Sequence, residues 1–349
     1  MAIVTQGSQA TIKPDIFDVL MGGDMSWDPS ATPLFSALRK GPDTPNAALF
    51  QFPYDIPDDP SNTGSAEGGR YAQASTTTYG GRALLYGRMH HKKAFFGVGE
   101  VAEGNEVYAT NGADEFTYQM RRALRQLVKS MEYLTVGVQE SQAGNGTTTF
   151  VTRGLENWIV ATAGIATQTD TATIVPANFR PAAAQIASLT VTSSDYPLVE
   201  SQVNNVFNSV YDVLKDKIDY DVHCTSRFKS KVSQWGNLQT NLSGSTQVRR
   251  FNQSAESMKI IATIEEWIGD AGKARFALHP WLRFDTAAQY AEALGLDYRF
   301  VQYRARTAPK ARRLPDAGGG PEGVAEFTMG VQCMPKYLSK WVRDTLTLA

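Results

Sequence analysis

Apolar positions recur most regularly in DEFTYQMRRALRQLVKSMEYLTVGVQ, where Phe116, Met120, Leu124, Leu127, Met131, Leu134 and Val138 follow one another at steps of four and three. That spacing puts all seven on one side of an α-helix, so one amphipathic helix is predicted over 114–139, roughly 35–40 Å long at 1.5 Å per residue. Asn111 or Asp114 can cap its start, and Gly144-Asn145-Gly146 lies just beyond its end. Opposite the stripe, Arg122, Arg125 and Lys129 form a basic ridge. It reads either as a solvated face or as a landing strip for acidic residues of a partner. A second stripe, Val199, Val203, Phe207, Val210, Leu214 and Ile218, predicts a helix over 199–219.

Elsewhere the pattern favours strands. LFQFPYDI (49–56) and RALLYGRMHHKKAFFGV (82–98) are β-rich, and the 57–81 insert between them is almost devoid of aliphatic residues. Two strands joined by so long a polar segment form a projecting hairpin, which is marginal in water unless it lies against something, here a neighbouring subunit. Further on come a strand at YDVHC (220–224) and a short helix at TSRFKSKVSQW (225–235). MKIIATIEEWIG and ARFALHPWL form an antiparallel pair across the turn DAGK (270–273). A helix is expected near TAAQYAEALGL (286–296), a strand at YRFVQYRAR (298–306), a flexible link at PDAGGGPEG (315–323), and strand-like chain over 324–342. Residues 1–48 carry short apolar pieces broken by Gly22, Gly23, Pro29, Pro33, Pro42 and Pro45 and read as an extended arm. Helices and strands mix without a βαβ alternation, so the fold class is α+β.

Composition narrows the function more by exclusion than by assignment. A chain of 349 residues with a formal net charge of -1 has no overall basic field to draw it to nucleic acid or membrane. Cys224 and Cys333 match neither a disulfide framework nor a zinc spacing, which suits a reducing cytosol. The amino end lacks a signal-peptide pattern, and the longest apolar stretch, WIVATAGIA (158–166), is too short to cross a bilayer, so a soluble intracellular product is expected.

Candidate chemistry fails on spacing. His90 and His91 are adjacent in a predicted strand and point to opposite faces, so they cannot grip one ion. His223 and Cys224 face apart for the same reason. Gly97, Gly99 and Ala102 match G-x-G-x-x-A, but Gly104, Asn105 and Gly112 interrupt the helix that a dinucleotide site requires. Asp58-Asp59 and Glu265-Glu266 read as solvated pairs. RARTAPKARR (304–313) is basic without interleaved aromatics, so it reads as a solvated loop or an acid-binding interface. No catalytic residue, cofactor or metal is expected.

The order of these pieces resembles the major capsid proteins of tailed bacteriophages, and among them the SU-10-like family, which shares the Hong Kong 97-type capsid fold. The resemblance is carried by Thr32 to Ser36 (TPLFS), the strand FQFPYD, the Glu67-Gly68 pair, the long helix and TRGLENWI with Arg153, Gly154, Leu155 and Trp158. It implies an N-terminal arm (1–48), an extended loop and its strands (49–91), and a peripheral domain with the spine helix (92–150). An axial domain (151–324) and a C-terminal return to the peripheral domain (325–349) complete it. Residues 286–325 match no family pattern. It also implies assembly into hexamers and pentamers of an icosahedral shell in the virion, made in the bacterial host cytoplasm. That shell encloses double-stranded DNA without sequence-specific binding, with a portal and decoration or scaffolding proteins as partners and no membrane. Any scaffolding region ahead of the arm is expected to be absent or separately encoded. The inter-subunit contact expected from the hairpin and the ridge joins Asp58, Asp59 or Glu67 of one subunit to Arg122, Arg125 or Lys129 of the next.

Three other readings remain open on the residues alone. One is an encapsulin-like nanocompartment shell, another a metal-dependent enzyme using His90, His223 or His279, and the third a phage tail or host-binding module.

Overall fold

The computed structural model describes residues 3–4, 32–41, 44–56, 82–103, 115–145, 147–161, 168–191, 198, 200–235, 252–254, 257–259, 263–282, 291–315 and 318–345. The hairpin tip 57–81, with Asp58, Asp59 and Glu67, lies outside these residues, as do the capping candidates Asn111 and Asp114.

The first of two main sheets contains β1 (Ile3–Val4), β2 (Arg39–Lys40), β5 (His90–Val98), β13 (Val301–Arg313) and β14 (Glu322–Cys333), in the spatial order β1-β5-β14-β13-β2. A long helix, α3 (Glu115–Val136), packs on one face of it. Alternation along β5 explains the seating. Lys92 faces the helix and donates to Ser130 Oγ at 2.9 Å, while His91 on the opposite face shares a 2.8 Å bond with Thr328 Oγ1. On α3, Leu127 and Met131 are fully buried, and Phe116, Met120, Leu124 and Leu134 pack half-buried against the same core, as the stripe predicts.

The helix stops at Val136, before Val138 can join it. Gly137 follows, and its carbonyl oxygen lies where a Cβ on Gly154 would sit, 1.8 Å away, so Gly154 must lack a side chain for the returning chain to pass. Gly154 N–H bonds Gln139 O at 3.0 Å, and the short helix α4 (Leu155–Trp158) follows with Leu155 and Trp158 buried.

The second sheet has the order β10-β11-β7-β12-β15-β6, comprising β6 (Ile186–Val191), β7 (Ile218–Cys224), β10 (Glu266–Gly269), β11 (Gly272–Leu278), β12 (Ala291–Leu296) and β15 (Ser339–Thr345). Helices α5 (Glu200–Leu214) and α6 (Ser226–Trp235) pack against it over a core containing Val203, Phe207, Val210, Val222, Phe228 and Ala274. A small hairpin, β8 (Asn252–Ser254) with β9 (Ser257–Lys259), stands apart from both sheets. The β10–β11 hairpin turns at Asp270-Ala271, as expected. The architecture is α+β.

Three expectations need correction. Residues 291–296 form a strand rather than a helix, because the segment sits between β7 and β15 with all six residues buried, and ladder pairing there outweighs the helix preference of Ala, Glu and Leu. The second helix ends at Leu214: Lys215 adopts a left-handed φ of 58°, which closes it, and Ile218 opens β7 instead of extending the helical stripe. The glycines at 318–320 form the turn of the β13–β14 hairpin, all at positive φ, with Gly319 O accepting from Glu100 N–H at 3.2 Å. That amide opens the one-turn helix α2 (Glu100–Glu103) after Gly97 and Gly99, and is therefore already engaged. β13 pairs with β14 in the first sheet, and β15 pairs with β12 and β6 in the second.

Candidate inter-subunit surface and its anchors

The ridge on α3 lies where the stripe requires. Arg122 and Arg125 are exposed, and Lys129 is half-buried. One turn further along the same line stands Glu132, which is fully buried. The cover is the chain's own helix α1 (Pro33–Ala37), whose Leu34 enters the core and whose Phe35 ring lies 4.7 Å from that of Tyr303. Pro33 at the first helical position has no N–H, and Thr32 makes no side-chain cap, so the next two amides need a distant acceptor. Glu132 supplies it, with Leu34 N–H donating to Oε1 at 2.9 Å and Phe35 N–H to Oε2 at 2.7 Å. The TPLFS segment is thus a helix capped from 97 and 98 residues away.

The hairpin stem is anchored separately. β3 (Leu49–Asp55) pairs antiparallel with β4 (Arg82–Arg88), from Leu49 opposite Arg88 to Asp55 opposite Arg82. Phe50, Phe52 and Leu85 enter the core, and the Phe50 ring lies against Gly87 and Gly330, where a Cβ would meet it at 2.5 Å. At the foot of the stem Arg88 clasps Asp170, with Nη2 to Oδ1 at 3.1 Å and Nε to Oδ2. The hydrogen bond from Arg88 is the main reason the Asp170 carboxyl is held below its usual range, and burial opposes it. Ser141 Oγ joins Asp170 Oδ2 (3.1 Å) to Thr173 Oγ1 (2.6 Å).

Arg153 completes the network. Its Nε reaches both oxygens of Glu140 (3.0 and 3.2 Å), Nη1 donates to Thr173 O at 2.7 Å, and the guanidinium lies 4.9 Å from the Trp158 ring centre. Arg153, Gly154, Leu155 and Trp158 of TRGLENWI thus all serve packing and hydrogen bonding within the chain. Arg153→Lys keeps the charge but loses the planar fork, so about 2 kcal/mol of stability should go, seen as a lower urea midpoint with unchanged slope.

The histidines divide. His90 is in the first sheet beside Phe327, and burial, with Lys92 and His91 nearby, pushes its pKa down to about 4. His223 in β7 and His279, just after β11, come together with ring centres 5.4 Å apart, and burial and then His279 lower His223 to about 3. His223 Nε2 meets Tyr298 Oη at 2.9 Å, and His279 Nε2 meets Glu132 Oε1 at 2.7 Å. Among the described residues no group of three or more His, Cys, Asp or Glu is placed to hold a metal. Cys224 and Cys333 are buried, and burial pushes the Cys224 thiol up to about 12.

Sequence reasoning missed Glu132, Arg88 and Asp170 as anchors. Only Glu132 left a trace, as the acid that ends the basic ridge in line with Lys129.

The profile of the SU10 major capsid protein family matches residues 4–345. The capsid chain of an empty GTA particle is 11% identical, with 90% of each chain covered and a TM-score of 0.53. That of the native GTA particle is 10% identical over 93% of this chain and 98% of that one, with a TM-score of 0.51. A chain from Mycobacterium phage Adephagia is 11% identical over 99% of both, with a TM-score of 0.52. No curated protein sequence matches. At such identities the structures establish the fold alone, and it is the Hong Kong 97-type capsid fold that the resemblance implied.

Proposed function

Because the chain belongs to the SU10 major capsid protein family, we propose that its work is structural: copies of it build the icosahedral shell of a phage virion from hexamers and pentamers. The observation that carries this is the family match across nearly the whole chain, joined to a capsid fold over the same length. In this reading residues 1–48 are the arm and the β3–β4 stem bears the extended loop. The first sheet with α3 is the peripheral domain, and the second sheet is the axial domain that meets its symmetry mates at capsomer centres.

The shell encloses double-stranded DNA without reading its sequence, receives a portal, and takes decoration or scaffolding proteins where the phage encodes them. The chain is made in the host cytoplasm, needs no membrane, cofactor or metal, and catalyses nothing. Residues 57–81 cross onto a neighbour, where Asp58, Asp59 or Glu67 meets Arg122, Arg125 or Lys129. The exposure of Arg122 and Arg125 on the outer side of α3 supports that contact.

Particles purified from infected cells test the content. After external nuclease they should retain long double-stranded DNA and show no stoichiometric metal on elemental analysis. Particles filled with a protein cargo would favour a nanocompartment, and one bound metal per chain would favour an enzyme.

A further inference from the structure

Glu132 carries more than a helix cap. Its side chain and that of His279 are both fully buried. Oε1 takes two donors, Leu34 N–H and His279 Nε2, and Oε2 takes Phe35 N–H. The tautomer of His279 follows from its other nitrogen: Nδ1 lies 3.2 Å from the Trp281 backbone N–H and must accept, so Nε2 carries the proton. One carboxylate on α3 thus holds three N–H donors from two places, the start of α1 and the residue that follows β11.

We infer that Glu132 is a two-way lock, in which docking of residues 33–37 and the seating of the β11 end of the second sheet against α3 depend on each other through this shared carboxylate. Both contacts draw on one carboxylate and share its Oε1 at a fully buried site, where an unpaired donor is costly. Displacing His279 frees the Glu132 side chain to leave its rotamer, and α1 then loses its cap. Undocking α1 opens the carboxylate to water and weakens its hold on His279. Coupling of this kind is reciprocal. The lock therefore ties the N-terminal segment to the relative placement of the two sheets.

Hydrogen exchange on the full-length chain tests this, in peptides spanning 30–40 and 274–284, with 203–212 as control. In Glu132→Gln a single amide oxygen replaces two carboxylate oxygens and the amide N–H₂ faces donors, so both test peptides should exchange roughly ten- to hundredfold faster. Two substitutions at His279 separate coupling from packing. His279→Asn can still accept from Trp281 N–H but cannot reach Glu132, whereas His279→Gln places an N–H near the Nε2 position. The lock predicts that His279→Asn accelerates exchange at 30–40 as well as at 274–284, and that His279→Gln leaves 30–40 at the parent rate. Acceleration confined to 274–284 in His279→Asn would overturn the lock. Equal acceleration of 30–40 by both substitutions would overturn it too, by pointing to loss of packing. Should Glu132→Gln fail to fold, the His279 pair decides alone.

Discussion

Leu127→Asp will leave no folded soluble chain. Leu127 is completely buried in the core shared by α3 and the first sheet, among Phe96, Ala325, Phe327 and Met329. Truncating a buried leucine costs about 2–5 kcal/mol, and a carboxylate placed there without a partner adds several more or must bind a proton. The sum, on the order of 5 kcal/mol or above, reaches the whole net stability of an ordinary domain. Arg122→Asp, on the exposed side of the same helix, should change stability by no more than about 0.5 kcal/mol. The soluble fraction after expression and the far-ultraviolet circular dichroism of the two variants make the comparison. A folded, assembling Leu127→Asp chain would show that the buried face of α3 is misassigned.

Replacing residues 57–81 by a short Gly/Ser turn will keep the fold and abolish shells. The stem has its own anchors in Phe50, Phe52, Leu85 and the Arg88–Asp170 clasp, all of which lie outside the replaced segment. The segment itself is too polar to order alone, and in the proposed reading its contacts are with another subunit. Each exposed ion pair with the α3 ridge is worth only about 0–1 kcal/mol, but symmetry repeats it in every subunit. Intact circular dichroism, a cooperative melt and loss of fast-sedimenting particles are the expected results. Shells forming as readily as in the parent would remove the loop from assembly, and collapse of the subunit would mean that the segment packs on its own chain.

Where local pattern and tertiary packing agree, the sequence is readable. The α3 stripe, the β10–β11 turn, α6 and the opposite facing of His90 and His91 all follow from period and turn chemistry. Misreadings gather where distant chain decides. Ala291–Leu296 has helix-forming residues, yet the flanking β7 and β15 impose a strand. Val138 continues the α3 stripe, yet the helix ends at Val136, and Gly137 beyond it lies against the returning Gly154. No local signal tells that β13 and β15, 26 residues apart at their nearest ends, belong to different sheets. Of the expected contact surface, the exposed ridge was legible because it is periodic, whereas Glu132 was not recognised as an anchor because its partners lie at residues 34, 35 and 279.

In the proposed function this chain closes on copies of itself. Sedimentation of the purified 38.2 kDa chain with negative-stain microscopy of the fast fraction tests it most directly. Capsomers and megadalton closed particles with icosahedral symmetry are expected, formed without added cofactor. A single species that stays at the monomer mass at high concentration would contradict it.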